Sequence, residues 1–112
     1  TLTGNHVTIG LIEPNHSLVS EFGDSVSVAT KEVLTISAPG TNSDSGAVFV
    51  YEYDPLKVNS YVLQQVITPN TTTPNKFGDS VEISKDGNWL YIANRGLSMV
   101  HAYARARTAS VE

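Results

Sequence analysis

The sequence predicts an all-β fold made of two copies of a four-stranded antiparallel unit, with the outer strand of one unit placed at the N-terminus. Two observations carry this expectation. The pentapeptide Phe22-Gly23-Asp24-Ser25-Val26 returns 55 residues later as Phe77-Gly78-Asp79-Ser80-Val81, and self-similarity at such a period marks a repeat architecture. Short β-branched runs broken by Pro, Gly, Asn and Asp follow one another from end to end, and no helical period is sustained.

The match extends beyond the pentapeptide. Ile12-Glu13-Pro14-Asn15 corresponds to Ile67-Thr68-Pro69-Asn70 at the same spacing. Leu34-Thr35-Ile36-Ser37-Ala38 corresponds to Leu90-Tyr91-Ile92-Ala93-Asn94 after one insertion, and Val50-Tyr51 to Ala102-Tyr103 after a deletion. Loops tolerate such changes and strands do not, which fixes where the strands lie.

Taken in order, Val7 to Ile12 is a β-branched run closed by Glu13-Pro14-Asn15. Ser25 to Val28 alternates polar and apolar residues, as a half-buried strand does. Val33 to Ile36 has a near-continuous apolar face, and Ala38-Pro39-Gly40 ends it because proline has no amide to donate. A polar loop, Thr41 to Gly46, leads to Ala47–Tyr53, the strongest strand signal in the chain. Asp54-Pro55 turns the chain into Tyr61–Ile67. In the second unit Val81-Glu82-Ile83 alternates, Lys85-Asp86-Gly87-Asn88 reads as a hairpin turn on Asp-Gly, and Trp89 to Ile92 follows. Leu97 to Tyr103 makes a third strand, and Ala104 to Glu112 has no alternation. The divisions are therefore 1–14, an outer strand completing a unit; 15–69, a complete unit; and 70–112, a unit lacking its outer strand.

Composition narrows the function classes. Seven Lys and Arg against eleven Asp and Glu give a net charge of −4, without the basic stripe that nucleic acid or an anionic membrane surface requires. Arg95, Arg105 and Arg107 read as a solvated chain end. With no cysteine there is neither a disulfide framework nor a thiolate metal site. No apolar run approaches the length of a membrane span. Because the chain starts at Thr1, it reads as a processed or excised piece of something longer. Asn15-His16-Ser17 and Asn70-Thr71-Thr72 match the N-glycosylation acceptor pattern at equivalent positions, although Asn15 and Asn70 would equally serve as turn residues after proline. His6, His16 and His101 occupy non-equivalent positions and read as surface or satisfied residues. No nucleophile elbow, phosphate loop or His-bearing metal motif occurs, so neither a catalytic residue nor a cofactor is expected.

Phe22 and Phe77 open their units, where an aromatic ring can wedge between neighbouring sheets, while Gly23 and Gly78 relieve the turn that follows. Asp24 and Asp79, with Ser25 and Ser80, are expected to hydrogen-bond nearby backbone; the alternative is that the two aspartates line a channel or hold a ligand. The tyrosines and Trp89 are expected to pack across strands in preference to stacking on sugars.

The Phe-Gly starts, the Ser37-Ala38-Pro39-Gly40 stretch and the Gly46-Ala47-Val48-Phe49-Val50-Tyr51 strand together resemble FG-GAP repeats, the β-propeller blades of integrin α-subunits and of many extracellular proteins. The resemblance covers about residues 7 to 103. It implies two four-stranded antiparallel β-propeller blades, an extracellular or cell-surface location and a non-enzymatic role. The family's Gly-Ala-Pro is degraded in the second unit to Ala93-Asn94-Arg95, implying a looser loop there. Its calcium loop of alternating aspartates is also missing. Asn42, Asp44 and Gly46 are a faint echo of it, so no metal is expected, and Asp44 is the one residue that would contribute to a calcium site.

Two blades cannot close a ring, and a bare strand edge is an aggregation template. The expectation is that Val7 to Ile12 pairs with Met99 to Tyr103 across a boundary, with a neighbouring copy or with chain beyond these residues. On that expectation the protein is a structural module that assembles by strand sharing into a fibre, surface layer or adhesive appendage. The alternative is a ligand-binding propeller, lectin-like or part of an integrin-like adhesion receptor. The partners expected are copies of itself and N-glycans.

Overall fold

The computed structural model describes residues 4–5, 12–14, 18–30, 32–56, 61–69 and 73–106. Among these the chain is all-β, in two antiparallel sheets. The first holds β1 (Val26–Ala29), β2 (Val33–Ala38), β3 (Ala47–Tyr53) and β4 (Tyr61–Ile67), in that spatial order. The second holds β5 (Val81–Ile83), β6 (Trp89–Asn94) and β7 (Met99–Ala104). Each strand pairs with the next in sequence, which short connections make the natural outcome.

The turns have local chemical causes. Asp54 Oδ1 accepts the Leu56 amide at 3.0 Å where Pro55 interrupts the ladder after β3. Between β5 and β6, Asp86 Oδ1 accepts the Ser84 hydroxyl at 2.7 Å and the Asn88 amide at 2.9 Å. Both donors favour the carboxylate, so Asp86 titrates below its ordinary value, the Ser84 bond contributing most. Gln64 is an extra residue on β4: Val50 faces Gln65 and Tyr51 faces Leu63, a bulge that twists the outer strand.

Several boundaries differ from the sequence expectation: β1 is shifted by one residue to Val26–Ala29, β6 runs on to Asn94 and β7 to Ala104. Strand β2 runs on to Ala38 because Ser37 and Ala38 still find Val48 and Ala47 across the ladder. Strand β7 starts at Met99, not Leu97: Arg95–Leu97 forms a 3-10 turn, and left-handed Ser98 (φ 54°) redirects the chain. That turn closes the shortened loop of the second unit with a 3.1 Å bond from the Ser98 amide to the Arg95 carbonyl. In the first unit the corresponding loop contains the single turn Thr41–Asp44, with left-handed backbone at Asn42 and Ser43.

The sheets pack face to face. Val33, Val48 and Ile67 of the first meet Val81, Ile83, Leu90 and Ile92 of the second, with Phe77 at the seam. On its other face the first sheet buries Ile36, Ala38, Phe49 and Tyr51 beneath Ile12, Val19 and Phe22. Strand β2 is thus covered on both sides, the physical reason for its near-continuous apolar sequence. No described helix is long and apolar enough to cross a membrane.

Candidate assembly site

The two Phe-Gly turns have the same geometry. Gly23 and Gly78 have φ of 95° and 96°, and the residues two before them, Glu21 and Lys76, are left-handed at 63° and 58°. The Gly23 amide donates to the Ser37 carbonyl at 2.9 Å, and the Gly78 amide to the Ala93 carbonyl at 3.0 Å. The Ser37 amide then returns a bond to the Ser25 carbonyl at 2.9 Å, and the Ala93 amide to the Ser80 carbonyl at 2.8 Å. Each turn is therefore clamped to the end of its own second strand by a reciprocal pair.

The phenylalanines differ. Phe77 is fully buried between the two sheets, whereas Phe22 is half-buried on the outward face of the first, edge-on to Phe49 at 5.3 Å and to Tyr51 at 6.5 Å. Phe77 is also tied by its backbone to the first unit, its amide donating to the Ser45 carbonyl at 3.2 Å beside a parallel bridge to Gly46. Gly46 has φ 95°, and a Cβ there would lie 2.1 Å from the Phe77 carbonyl oxygen, so only glycine permits this approach.

The aspartates of the repeat do not behave alike. Asp79 meets Arg95 at 3.3 Å, while Asp24 is exposed and its amide donates to Glu21. Ser25 and Ser27 reach across to the second unit: Ser25 Oγ accepts the Val81 amide at 3.3 Å and Ser27 Oγ the Ile83 amide at 3.0 Å. These bonds hold β5 beside β1, giving the inner edge of the second sheet acceptors from the first. Glu21 and Lys76, equivalent in the repeat and opposite in charge, pair at 3.2 Å.

Asp44 lies 3.6 Å from the same Lys76 ammonium, whose own amide donates to the Asp44 carbonyl at 2.7 Å. A calcium ion needs six to eight oxygens. Here two carboxylates converge on a lysine, and no group of three or more His, Asp or Glu converges among the described residues. The residues around Asp44 do not fit calcium.

The outer edge of β7 has no strand beside it among the described residues. Because the Arg105 amide donates inward to Asn88 at 2.8 Å, alternation along the strand turns the amides of Val100, Ala102 and Ala104 outward. Between the two sheets, at the Tyr103-Ala104 end of β7, lies a groove of about 440 Å³, lined by Val50, Gln65 and Ile67 of the first sheet and by Leu90, Tyr103 and Ala104 of the second. Arg105 Nη2 meets Glu52 Oε2 at 2.6 Å and joins the two walls. Burial raises the pKa of the Tyr103 phenol.

Residues 7 to 11 of the Val7 to Ile12 segment, Asn15, Asn70, His6, His16 and Arg107 lie outside the described residues. Arg95 and Arg105 are not one cluster; each is paired with a different acid. His101 stacks edge-on against Phe77 at 5.3 Å, its Nε2 buried with no hydrogen-bond partner among the described residues. Tyr53 packs on Tyr61 across β3 and β4 at 5.5 Å, as cross-strand packing requires. Trp89 and Tyr91 instead face outward from the second sheet.

The inter-unit bonds of Ser25 and Ser27 and the ion pairs of Glu21 and Glu52 escaped sequence reasoning. For Glu21 a signal existed, since opposite charges at equivalent repeat positions become neighbours when units stack. No protein-family model matches the chain, and no curated protein matches it.

Proposed function

We propose that this chain is a structural extracellular module, a pair of FG-GAP-like β-propeller blades that assembles by strand sharing. The observation that carries the reading is the outer edge of β7. In the first unit β4 lies against the outer edge of β3; in the second, the equivalent edge, that of β7, ends at the groove between the sheets, which is crossed by the Arg105–Glu52 pair. An edge with the outward amides of Val100, Ala102 and Ala104, no described strand beside it and a groove at its Ala104 end suits β-strand addition. Val7 to Ile12 supplies the β-branched strand for it, from a neighbouring copy. Paired acceptor acids and the sequons at Asn15 and Asn70 suit an exposed, glycosylated surface module better than a catalytic one.

Ala102→Pro tests this reading, because proline at an outward-facing edge position removes an amide the incoming strand needs and spares the β6–β7 ladder. Electron microscopy of the purified full chain should show polymers or closed rings for the natural sequence and markedly fewer and shorter assemblies for A102P with an unchanged circular dichroism spectrum. Assemblies equally abundant in folded A102P would reject strand sharing.

A further inference from the structure

We infer that the two outward sheet faces of this chain are the two halves of a single interface, so that a second copy stacks head to tail by repeating the contact already made between the two units. This goes beyond strand sharing: it uses sheet faces, not the β7 edge, and holds whether or not that edge takes a strand.

The argument rests on repeat equivalence. Val28 of β1 is 53% exposed, while its counterpart Ile83 is 8% exposed because the first sheet covers it. Val26 and Val81 show the same contrast. On the opposite side, Val100 of β7 is 67% exposed, while its counterpart Val48 is fully buried under the second sheet. Trp89 and Tyr91 are exposed where Val33 and Thr35 are buried. Val33, Val48, Val81 and Ile83, which one unit buries against the other, thus each have a counterpart of the same strand position left exposed, whereas Ile36, the counterpart of Ile92, is buried in the cluster that Phe22 covers.

The polar pattern carries over as well. Within the chain Ser25 and Ser27 accept the Val81 and Ile83 amides. One repeat on, these acceptor positions are Ser80 and Glu82, both oxygen-bearing and exposed. The donor positions one repeat back are Val26 and Val28, on the uncovered edge of β1. The outward face of the second sheet therefore offers acceptors and apolar surface in the pattern that the outward face of the first requires. Trp89 and Tyr91 enlarge it with the aromatic residues that dominate binding between chains. Such an interface joins two different surfaces, so it propagates into rings or filaments and does not stop at a symmetric dimer.

Sedimentation of the full chain across a concentration series tests it with Trp89→Lys and Val28→Lys, each on one exposed face. The natural chain should self-associate, and each variant alone should associate about tenfold or more weakly. Mixed, the two should form a one-to-one complex that grows no further, since W89K keeps an intact first face and V28K an intact second. A mixture that stays monomeric, a natural chain that is monomeric throughout, or variants that associate like the natural chain would each overturn the inference. A102P separates the two ideas. Stacking predicts that it still self-associates, whereas loss of association in A102P alone, with W89K and V28K unaffected, would leave strand sharing standing and this inference refuted.

Discussion

The two units share a backbone plan and differ in what covers them. Each has a left-handed residue two before its glycine, a glycine near φ 95° and the same reciprocal clamp to its second strand. Yet Phe77, Val81 and Ile83 are buried while Phe22, Val26 and Val28 are partly or largely exposed. Residue type does not separate the sets. The lesson is that burial here belongs to the neighbour: the second unit is buried on the face that meets the first, and among the described residues no sheet covers the corresponding face of the first. Equal substitutions at equivalent positions should then have unequal costs.

The largest inequality is expected at the phenylalanines. Phe77→Ala removes a fully buried ring from between the sheets and should cost about 3–5 kcal/mol. Phe22→Ala, on a half-covered face, should cost about half of that, since part of its surface already meets water. Denaturant unfolding of both variants checks the ratio. Equal losses would mean that Phe22 is as deeply covered as Phe77 and that the comparison is false.

A smaller inequality is expected at the serines. Ser25→Ala or Ser27→Ala leaves the Val81 or Ile83 amide without its acceptor at a part-buried junction, at about 1 kcal/mol each. Ser80→Ala, at the equivalent of Ser25, takes no such amide from the described residues and should stay within about 0.5 kcal/mol. Thermal melts of dilute protein, where copies do not meet, distinguish them. A destabilised Ser80→Ala under those conditions would show that the serine acts inside its own unit.

Much of the fold is legible in the sequence because strand alternation is a local property. Ala47–Tyr53, Tyr61–Ile67 and Val81–Ile83 follow from residue order alone, and Asp86-Gly87 announces its hairpin. The relation between the sheets is not legible in the same way. Phe22 and Phe77 stand in identical pentapeptides, so nothing local tells which is buried. The role of Ser27 depends on where β5 comes to rest 56 residues later, and the groove exists only because residues of both sheets, far apart in sequence, come to line it. The end of β2 is illegible for a different reason: Ala38-Pro39-Gly40 reads as a stop, and only the partners Val48 and Ala47 show that Ser37 and Ala38 still belong to the strand.

The smallest effect concerns the junction between the Phe-Gly approaches. Lys76 is held above its ordinary pKa of 10.5, chiefly by the hydrogen bond from its ammonium to Glu21 and secondarily by the Asp44 charge. A base whose pKa rises on folding contributes stability that is fully present below 10.5 and is lost as pH climbs through the folded value. The pair is solvent-exposed, so the contribution is small and should shrink further in salt. Tyr51 and Tyr103 complicate the reading, because burial raises both phenols and an unfolded chain ionises them first, so they too remove stability in alkali. Lys76→Gln separates the causes. Its melting temperature should still fall in alkali through the tyrosines, but less steeply than that of the natural chain, and the difference between the two should vanish in concentrated salt. Superimposable alkaline profiles would mean that the lysine only spans the junction and that the tyrosines account for the whole dependence.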